Sequence, residues 1–200
     1  MWTRRIAPGD TIAKAFKNDG KLLGQIGVQF RVPYQFLERI NNIKATSLQS
    51  DHVLKVVQGP LHARVSQSGF TMDVYALDPR GVPVFVQSFP VGLGLNTPNG
   101  NWEVIKASKV TNPSWRDEEN GEFFTSDNPD NPIGEYWIAI EGLDQDNRDK
   151  RGFGIHGTIE PDSIGKKESR GCIRLRDGAI EEVFFMLTDH SEGSRIQIVP

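Results

Sequence analysis

The chain is poor in cysteine, in histidine and in long apolar runs. It has one cysteine and four histidines in 200 residues, which excludes an intramolecular disulfide. The histidines lack the short paired spacings of zinc ligands. The longest apolar stretch, residues 82–91, is broken by proline, glutamine and serine and falls far short of a bilayer span. We therefore expect no metal, no cofactor and no membrane span in this chain.

An excess of basic residues is also missing. The formal net charge is -3, and no basic stripe is available to balance a phosphate backbone, so nucleic acid is not an expected partner. The first residues, Met1–Arg5, include two arginines but are not followed by an apolar run, unlike a signal peptide. If the protein is exported, we expect that the segment responsible has been removed.

The one cysteine follows closely after a histidine. Cys172 lies in the segment SRGCIRL at 169–175, and His156 lies in IHGT at 155–158. A thiol near its ordinary pKa is mostly protonated at neutral pH, so a nucleophilic cysteine needs a base or a positive environment. His156 can take the proton, and positive charge around the sulfur is predicted from Arg170, Arg174, Lys166 and Lys167. A lone cysteine or histidine is more often structural, but their joint occurrence favours a thiol–imidazole site.

The neighbours of Cys172 also fit acyl chemistry. Gly171 has no Cβ where a substrate carbonyl would approach, and the backbone amides of Gly171 and Cys172 are candidates for an oxyanion hole. If 172–174 is extended, Cys172 and Arg174 share one face. The Arg174 guanidinium could then bind a substrate carboxylate through two hydrogen bonds.

Most of the chain after Pro60 reads as strands. β-Branched and aromatic runs are separated by Gly, Pro, Asn and Asp turns, and they predict strands at 62–66, 71–77, 82–91, 102–109, 137–141 and 195–199. One late helix is predicted with Asp177 as N-cap and an apolar face of Ile180, Val183, Phe184 and Leu187. This pattern is typical of an all-β sandwich or barrel. The polar stretch 112–132 is either a lid or binding loop or a disordered excursion.

Residues 1–59 have mainly helical patterns in place of the strand patterns after Pro60, and the chain is predicted to divide near Gly59-Pro60. Asp10 is placed to cap a helix over 11–16. A second helix is predicted to begin at Pro33 and end at Asn41-Asn42, with Phe36, Leu37 and Ile40 facing inward. A strand is predicted at 53–57.

Two families resemble these two parts. HGT at 156–158, SIG at 163–165 and SRGCIRL at 169–175 resemble the signature of the YkuD-type L,D-transpeptidase catalytic domain, and TPNGNW at 97–102 matches that family's Thr-Pro-x-Gly turn. The resemblance spans residues 61–199, and we assign 60–200 to this domain. Residues 1–59 resemble a LysM module, a βααβ unit that binds glycans containing N-acetylglucosamine, with an insert at about 18–30.

The resemblance implies a peptidoglycan L,D-transpeptidase. Cys172 would attack a tetrapeptide stem, release D-alanine and form a 3→3 cross-link, with His156 as base and then acid. In this family a serine or a backbone carbonyl orients the imidazole, and Gly157 offers its carbonyl. Ser169 is assigned to hydrogen bonding in the pocket and Arg174 to substrate or pocket anchoring. Arg170 replaces a histidine that is common at this position, and we group it with Gly171 among the oxyanion and substrate residues.

Three alternatives stay open at this point. Water as acceptor would give an L,D-carboxypeptidase, and a cell-wall cysteine peptidase would use the same pair, although such families usually place the cysteine before the histidine. A non-catalytic peptidoglycan-binding protein is the third. The expected partners are peptidoglycan stem peptides and glycan strands, the expected location is the bacterial cell envelope, and a monomer is favoured.

Overall fold

The dominant element of the structure is one curled eight-stranded mixed sheet. The computed structural model describes residues 2–5, 30–47, 53–117, 120–189 and 193–200. The described strands are β1 (Trp2–Arg5), β2 (Val53–Val56), β3 (His62–Ser66), β4 (Thr71–Leu77), β5 (Pro83–Pro90), β6 (Leu93–Gly94), β7 (Gly100–Thr111), β8 (Trp115–Arg116), β9 (Phe123–Phe124), β10 (Tyr136–Gly142), β11 (Gly154–His156), β12 (Lys167–Ser169), β13 (Ile173–Arg174) and β14 (Arg195–Val199).

Strand order in the large sheet is β13-β11-β10-β7-β14-β3-β4-β5, and three two-stranded sheets pair β1 with β2, β6 with β12 and β8 with β9. Alternation of buried and exposed residues explains the central strands: Met72, Val74 and Ala76 of β4 point into the core while their neighbours do not. The mainly β class is confirmed, and each predicted strand is present within two residues of its predicted limits.

Two α-helices are described. α1 (Tyr34–Asn41) buries Phe36 and Leu37 and ends at Asn42 in the left-handed region, with φ of 49°, as the sequence predicts. α2 (Asp177–Met186) buries Ile180, Val183, Phe184 and Met186. Its N-cap is Arg176 rather than Asp177, which lies in the first turn as a negative charge near the helix N-terminus. Short 3₁₀ turns lie at Ala45–Ser47 and Pro161–Ser163.

The N-terminal part is described at both of its ends. β1 pairs antiparallel with β2, so that residues 2–5 lie beside residues 53–56, and α1 packs against β2. Asn41 at the end of α1 joins the two elements, because its side chain accepts from the Lys55 amide and donates to the Lys55 carbonyl. The predicted helix at 11–16 and the insert at 18–30 lie outside the described residues, except for Phe30. No described helix is both long and apolar enough to cross a membrane.

The site is positioned by one edge of the large sheet. There β11 and β13 run parallel, with Ile155 opposite Ile173 and His156 opposite Arg174. The amide of Leu175 donates to the His156 carbonyl at 2.9 Å and continues this pairing. Parallel strands bring their carboxyl ends to the same side of the sheet. Two segments separated in sequence, 154–156 and 173–174, are therefore adjacent in space.

Candidate active site

A cavity of about 610 Å³ lies at this edge of the sheet. His156 and Cys172 both line it, and so do Ser169, Arg170, Gly171 and Arg174. Of the predicted site residues, only Gly157 is absent from its lining, and Gly157 adjoins His156 in the chain. The volume is in the range of cavities that bind small ligands and peptides. The fold thus gathers the predicted residues around one space.

The tautomer of His156 follows from its hydrogen bond. The Nδ1 atom lies 2.6 Å from the carbonyl oxygen of Gly157. A carbonyl only accepts, so Nδ1 carries the hydrogen and Nε2 keeps its lone pair. The imidazole is held in the form in which Nε2 can act as a base. Of the two kinds of orienting group that the family resemblance implies, a serine or a backbone carbonyl, the Gly157 carbonyl makes this bond.

Trp137 holds the other side of the imidazole. It lies on β10 opposite His156 of β11, and the two rings stack with centroids 5.7 Å apart and an interplanar angle of 25°. Gly154 leaves room for the indole, since a Cβ there would lie 2.5 Å from the Trp137 ring. The imidazole is thereby fixed by a ring face as well as by a hydrogen bond.

Burial shifts both members of the pair toward their neutral forms. Desolvation lowers the pKa of His156 to about 4, against an opposing effect of the Gly157 hydrogen bond and with a further lowering by Arg174. Desolvation also raises the pKa of the Cys172 thiol, outweighing the lowering by the Gly154 backbone and by Arg174. Both shifts favour the neutral thiol and the neutral imidazole over the charged pair.

Of the positive charges expected around Cys172, that of Arg174 does lower the thiol pKa, but desolvation outweighs it. Lys167 donates to the side-chain oxygen of Gln67 at 2.7 Å, and Lys166 lies 3.5 Å from Glu168. Neither lysine lines the cavity. Burial of the sulfur prevails over the arginine charge that does face it, because a thiolate loses more solvation than one guanidinium restores.

The loop that carries Cys172 is held by two hydroxyls. Ser169 Oγ donates to the Cys172 carbonyl at 2.7 Å. Thr97 Oγ1 donates to the Gly171 carbonyl at 2.9 Å and accepts from the Gly94 amide at 2.8 Å. Thr97 is buried, so these bonds are shielded from water. The Thr-Pro-x-Gly turn is thus a support for the nucleophile loop.

Gly171 is a glycine for a reason that the sequence did not reveal. A Cβ at this position would lie 2.5 Å from Cε1 of Phe153. The space that we expected to admit a substrate carbonyl is therefore occupied by an aromatic ring of the protein. The close packing fixes the backbone of Gly171, whose amide remains a predicted oxyanion donor together with that of Cys172.

Arg174 faces the cavity as the strand period predicts. Cys172 and Arg174 are half-buried and line the cavity, whereas Ile173 and Leu175 between and after them are fully buried. Arg174 Nη1 donates to Glu160 Oε2 at 2.8 Å. The Arg174 side chain is 15% exposed and that of Glu160 is 63% exposed, so the carboxylate lies at the rim and the guanidinium lies inside.

The described residues of 112–132 contribute a wall of the cavity. Within them β8 and β9 make a short hairpin in which Trp115 pairs with Phe124. Their rings lie 5.8 Å apart, and both line the cavity. The sequence left open whether this stretch is a lid or binding loop or a disordered excursion. The position of Trp115 and Phe124 at the cavity favours a binding loop.

Sequence reasoning missed three groups. Trp137 gave no signal because its proximity to His156 depends on strand register. Asp117 and Glu160, which pair with Arg170 and Arg174, are carboxylates of unremarkable sequence context.

Of the remaining histidines, His62 accepts from the Arg195 amide, while His52 and His190 lie outside the described residues. In the described part of the chain, no three His, Cys, Asp or Glu side chains are grouped so that they could hold a metal ion.

A mainly β fold in which a buried histidine and a half-buried cysteine line one cavity defines a site of the kind used for covalent acyl transfer. The YkuD family model, described as the L,D-transpeptidase catalytic domain, matches residues 66–198. The chain belongs to this family. It is also similar to a putative L,D-transpeptidase YkuD of Bacillus licheniformis, with 27% identity over 191 residues that cover 90% of this chain and 95% of that protein.

Two further similarities extend the comparison. The putative L,D-transpeptidase YkuD of Bacillus subtilis is 26% identical over 208 residues and covers 99% of each chain. The solved structure of Bdellovibrio bacteriovorus Bd1075 superposes with a TM-score of 0.50 and 15% identity, covering 70% of this chain and 48% of that one. At this identity the superposition supports the fold alone.

Proposed function

We propose that the protein is a peptidoglycan L,D-transpeptidase that forms 3→3 cross-links. The observation that carries this proposal is the Nδ1–H bond of His156 to the Gly157 carbonyl, which leaves Nε2 basic at the cavity that holds Cys172. The family match and the relatives named as L,D-transpeptidases support the choice of substrate.

The first step transfers an acyl group to sulfur. The Cys172 thiol gives its proton to Nε2 of His156 as the sulfur bonds to the carbonyl carbon between the third stem residue, an L-centre, and the terminal D-alanine. The backbone amides of Gly171 and Cys172 donate hydrogen bonds to the oxyanion that forms. The imidazolium returns the proton to the departing amine, the C–N bond breaks, and D-alanine leaves with a thioester on the enzyme.

The second step resolves the thioester. An amine of a neighbouring stem gives a proton to His156 and attacks the carbonyl, and the thiol regains a proton when the C–S bond breaks. The product is the cross-link. No nucleotide is consumed, because the cleaved amide supplies the acyl group. If water replaces the amine, the product is a tripeptide stem and the activity is that of an L,D-carboxypeptidase.

A neutral thiol and a neutral imidazole before the reaction are compatible with these two steps. Burial disfavours both the thiolate and the imidazolium, which favours proton transfer during the attack on the carbonyl over transfer beforehand. The charge then develops next to the oxyanion donors. Arg174, inside the cavity, is our candidate for binding a carboxylate of the stem peptide.

The test is product analysis on a tetrapeptide muropeptide by mass spectrometry. Loss of D-alanine with dimer formation is expected for the wild type. Loss of D-alanine without dimers would indicate a carboxypeptidase. Cleavage elsewhere in the stem would indicate a peptidase, and binding without turnover would indicate a non-catalytic protein. Cys172→Ala should abolish turnover and covalent labelling by carbapenems. His156→Ala should slow acylation by roughly two to four orders of magnitude.

We further propose that residues 1–59 form a LysM-like module that binds glycan, separated from the catalytic domain near Gly59-Pro60, and that the protein acts in the bacterial cell envelope. The antiparallel pairing of β1 with β2 and the packing of α1 on β2 support the module. Titration of the Cys172→Ala protein with chito-oligosaccharides by calorimetry tests it. Saturable binding is expected, and absence of heat at millimolar ligand would argue against it.

A further inference from the structure

Arg170 is bound to a residue far away in the sequence. Its Nη1 and Nη2 atoms donate to Oδ1 and Oδ2 of Asp117 at 2.8 and 3.0 Å. The two parallel bonds make this a bidentate pair, the geometry in which an arginine–carboxylate contact is both strong and directional. The residues are separated by 53 positions, so the pair joins two parts of the chain that are distant in sequence.

Both parts line the cavity. Arg170 directly precedes Gly171 and Cys172 in the nucleophile loop. Asp117 directly follows β8, and its backbone closes the hairpin turn: its amide donates to the Glu122 carbonyl at 2.8 Å, and its carbonyl accepts from the Gly121 amide at 2.9 Å. The pair therefore attaches the turn of the hairpin to the loop that carries the nucleophile.

The hairpin needs such an attachment. Its strands β8 and β9 have two residues each and form a sheet separate from the large one. A two-stranded hairpin of this size is at best marginally stable alone. Asn131 donates to the Pro113 carbonyl at 2.7 Å and holds the base of the loop, whereas the Arg170–Asp117 pair holds the hairpin itself.

Burial makes the attachment stronger than an ordinary surface ion pair. The Asp117 side chain is only 12% exposed, although that of Arg170 is 56% exposed. Exposed pairs contribute little, but removing a bidentate partner from a shielded carboxylate takes away two of its hydrogen bonds where water replaces them poorly. Loss of Arg170 should consequently move Asp117, and with it the hairpin, toward solvent.

We infer that Arg170 is a positioning residue, which holds the hairpin at Asp117 so that the aromatic wall of Trp115 and Phe124 faces Cys172 across the cavity. This inference rests on the proposed function, because it assigns the wall to the binding of the stem peptide. The guanidinium acts through the hairpin and not on the reacting carbonyl. Its role is different from the oxyanion and substrate grouping that the sequence predicted for it.

A double-mutant cycle tests the inference. KM and kcat for a tetrapeptide stem are measured for the wild type, Arg170→Ala, Asp117→Ala and the double variant. Each single substitution should raise KM about tenfold, since a misplaced binding wall weakens substrate positioning, while kcat stays within about threefold. The double variant should resemble the single ones, because each change already removes the same link. Arg80→Ala, which breaks an exposed ion pair with Asp78 in the turn between β4 and β5, is the matched control and should leave both constants unchanged.

Three results would overturn the inference: unchanged KM in the single variants, KM effects that multiply in the double variant, or a loss confined to kcat. Thermal unfolding and the rate of Cys172 alkylation by iodoacetamide verify that each variant is folded with an accessible thiol. If an alanine variant does not fold, Arg170→Lys and Asp117→Asn replace it under the same criteria. A wild type without turnover would count against the proposed function, whereas an active wild type with insensitive variants would count against the pair alone.

Discussion

The indole of Trp137 and the imidazole of His156 lie face to face, with centroids 5.7 Å apart. The hydrogen bond to Gly157 fixes only one edge of the imidazole, so the indole restricts rotation and excludes water from one face. Trp137→Leu should lower kcat by roughly threefold to tenfold, in line with the energy of an aromatic pair. Trp137→Phe retains a ring face and should lose less. Steady-state kinetics distinguish the two, and equal losses would show that the indole acts only by filling space.

The reactivity of the thiol should increase steeply with pH. Burial raises the pKa of Cys172 above its ordinary value of 9.0, so little thiolate exists at neutral pH. The rate of alkylation by iodoacetamide is expected to rise through pH 8 and to continue rising at pH 9. His156→Gln should follow the same rise, because the shift arises chiefly from burial. A plateau below about pH 7 would instead indicate a resting thiolate–imidazolium pair.

His156 should make the fold less stable in mild acid. Its pKa is lowered from 6.5 to about 4, so between these values the unfolded chain binds a proton that the folded protein does not. The resulting destabilisation is absent above pH 6.5, grows as the pH falls toward 4, and reaches about 3 kcal/mol.

Urea unfolding of the wild type and of His156→Gln measures this effect. The glutamine variant lacks the titrating group, and all other groups contribute equally to both proteins. Relative to the variant, the wild type should lose roughly 2 to 3 kcal/mol between pH 7 and about pH 4.5. A difference that does not depend on pH would mean that His156 titrates normally in the folded state.

Thr97 should matter for both stability and turnover. Thr97→Val has nearly the same shape but removes the hydroxyl that bonds the Gly171 carbonyl and the Gly94 amide. Leaving two buried polar groups unpaired should cost about 1 to 3 kcal/mol and reduce turnover several-fold, because the nucleophile loop loses a support. Thr97→Ser retains the hydroxyl and is the control. Thermal unfolding and kinetics would contradict the expectation if valine and serine behaved alike.

The sequence predicted most of the secondary structure because the helices and strands follow from local patterns, and it placed the candidate catalytic residues that the fold brings to one cavity. The alternation of apolar and polar residues in 71–77 and 195–199 predicts two strands, because successive side chains of a strand point to opposite faces. The spacing of Ile180, Val183 and Phe184 predicts α2. The block at 169–175 keeps the nucleophile and its neighbours contiguous. These features need no knowledge of distant contacts.

The features that the sequence did not predict depend on tertiary contacts. Strand register places Trp137 opposite His156, and only the folded chain brings Asp117 to Arg170. The packing of Phe153 on Gly171 explains a glycine that we had interpreted through the substrate. The lysines at 166 and 167 seemed close to Cys172 because they are near it in sequence, but their side chains have other partners.

The parallel pairing of β11 with β13 separates the geometry of the site from the length of the chain between its parts. His156 is opposite Arg174 through strand register, and the intervening segment turns at Gly165, where an added Cβ would meet nothing within 4 Å. The Gly165 amide donates to the Val91 carbonyl at 3.0 Å, so this turn is itself attached to the segment that precedes β6. Substitutions in this turn should therefore disturb its attachment to Val91 before they disturb the register of His156 with Arg174.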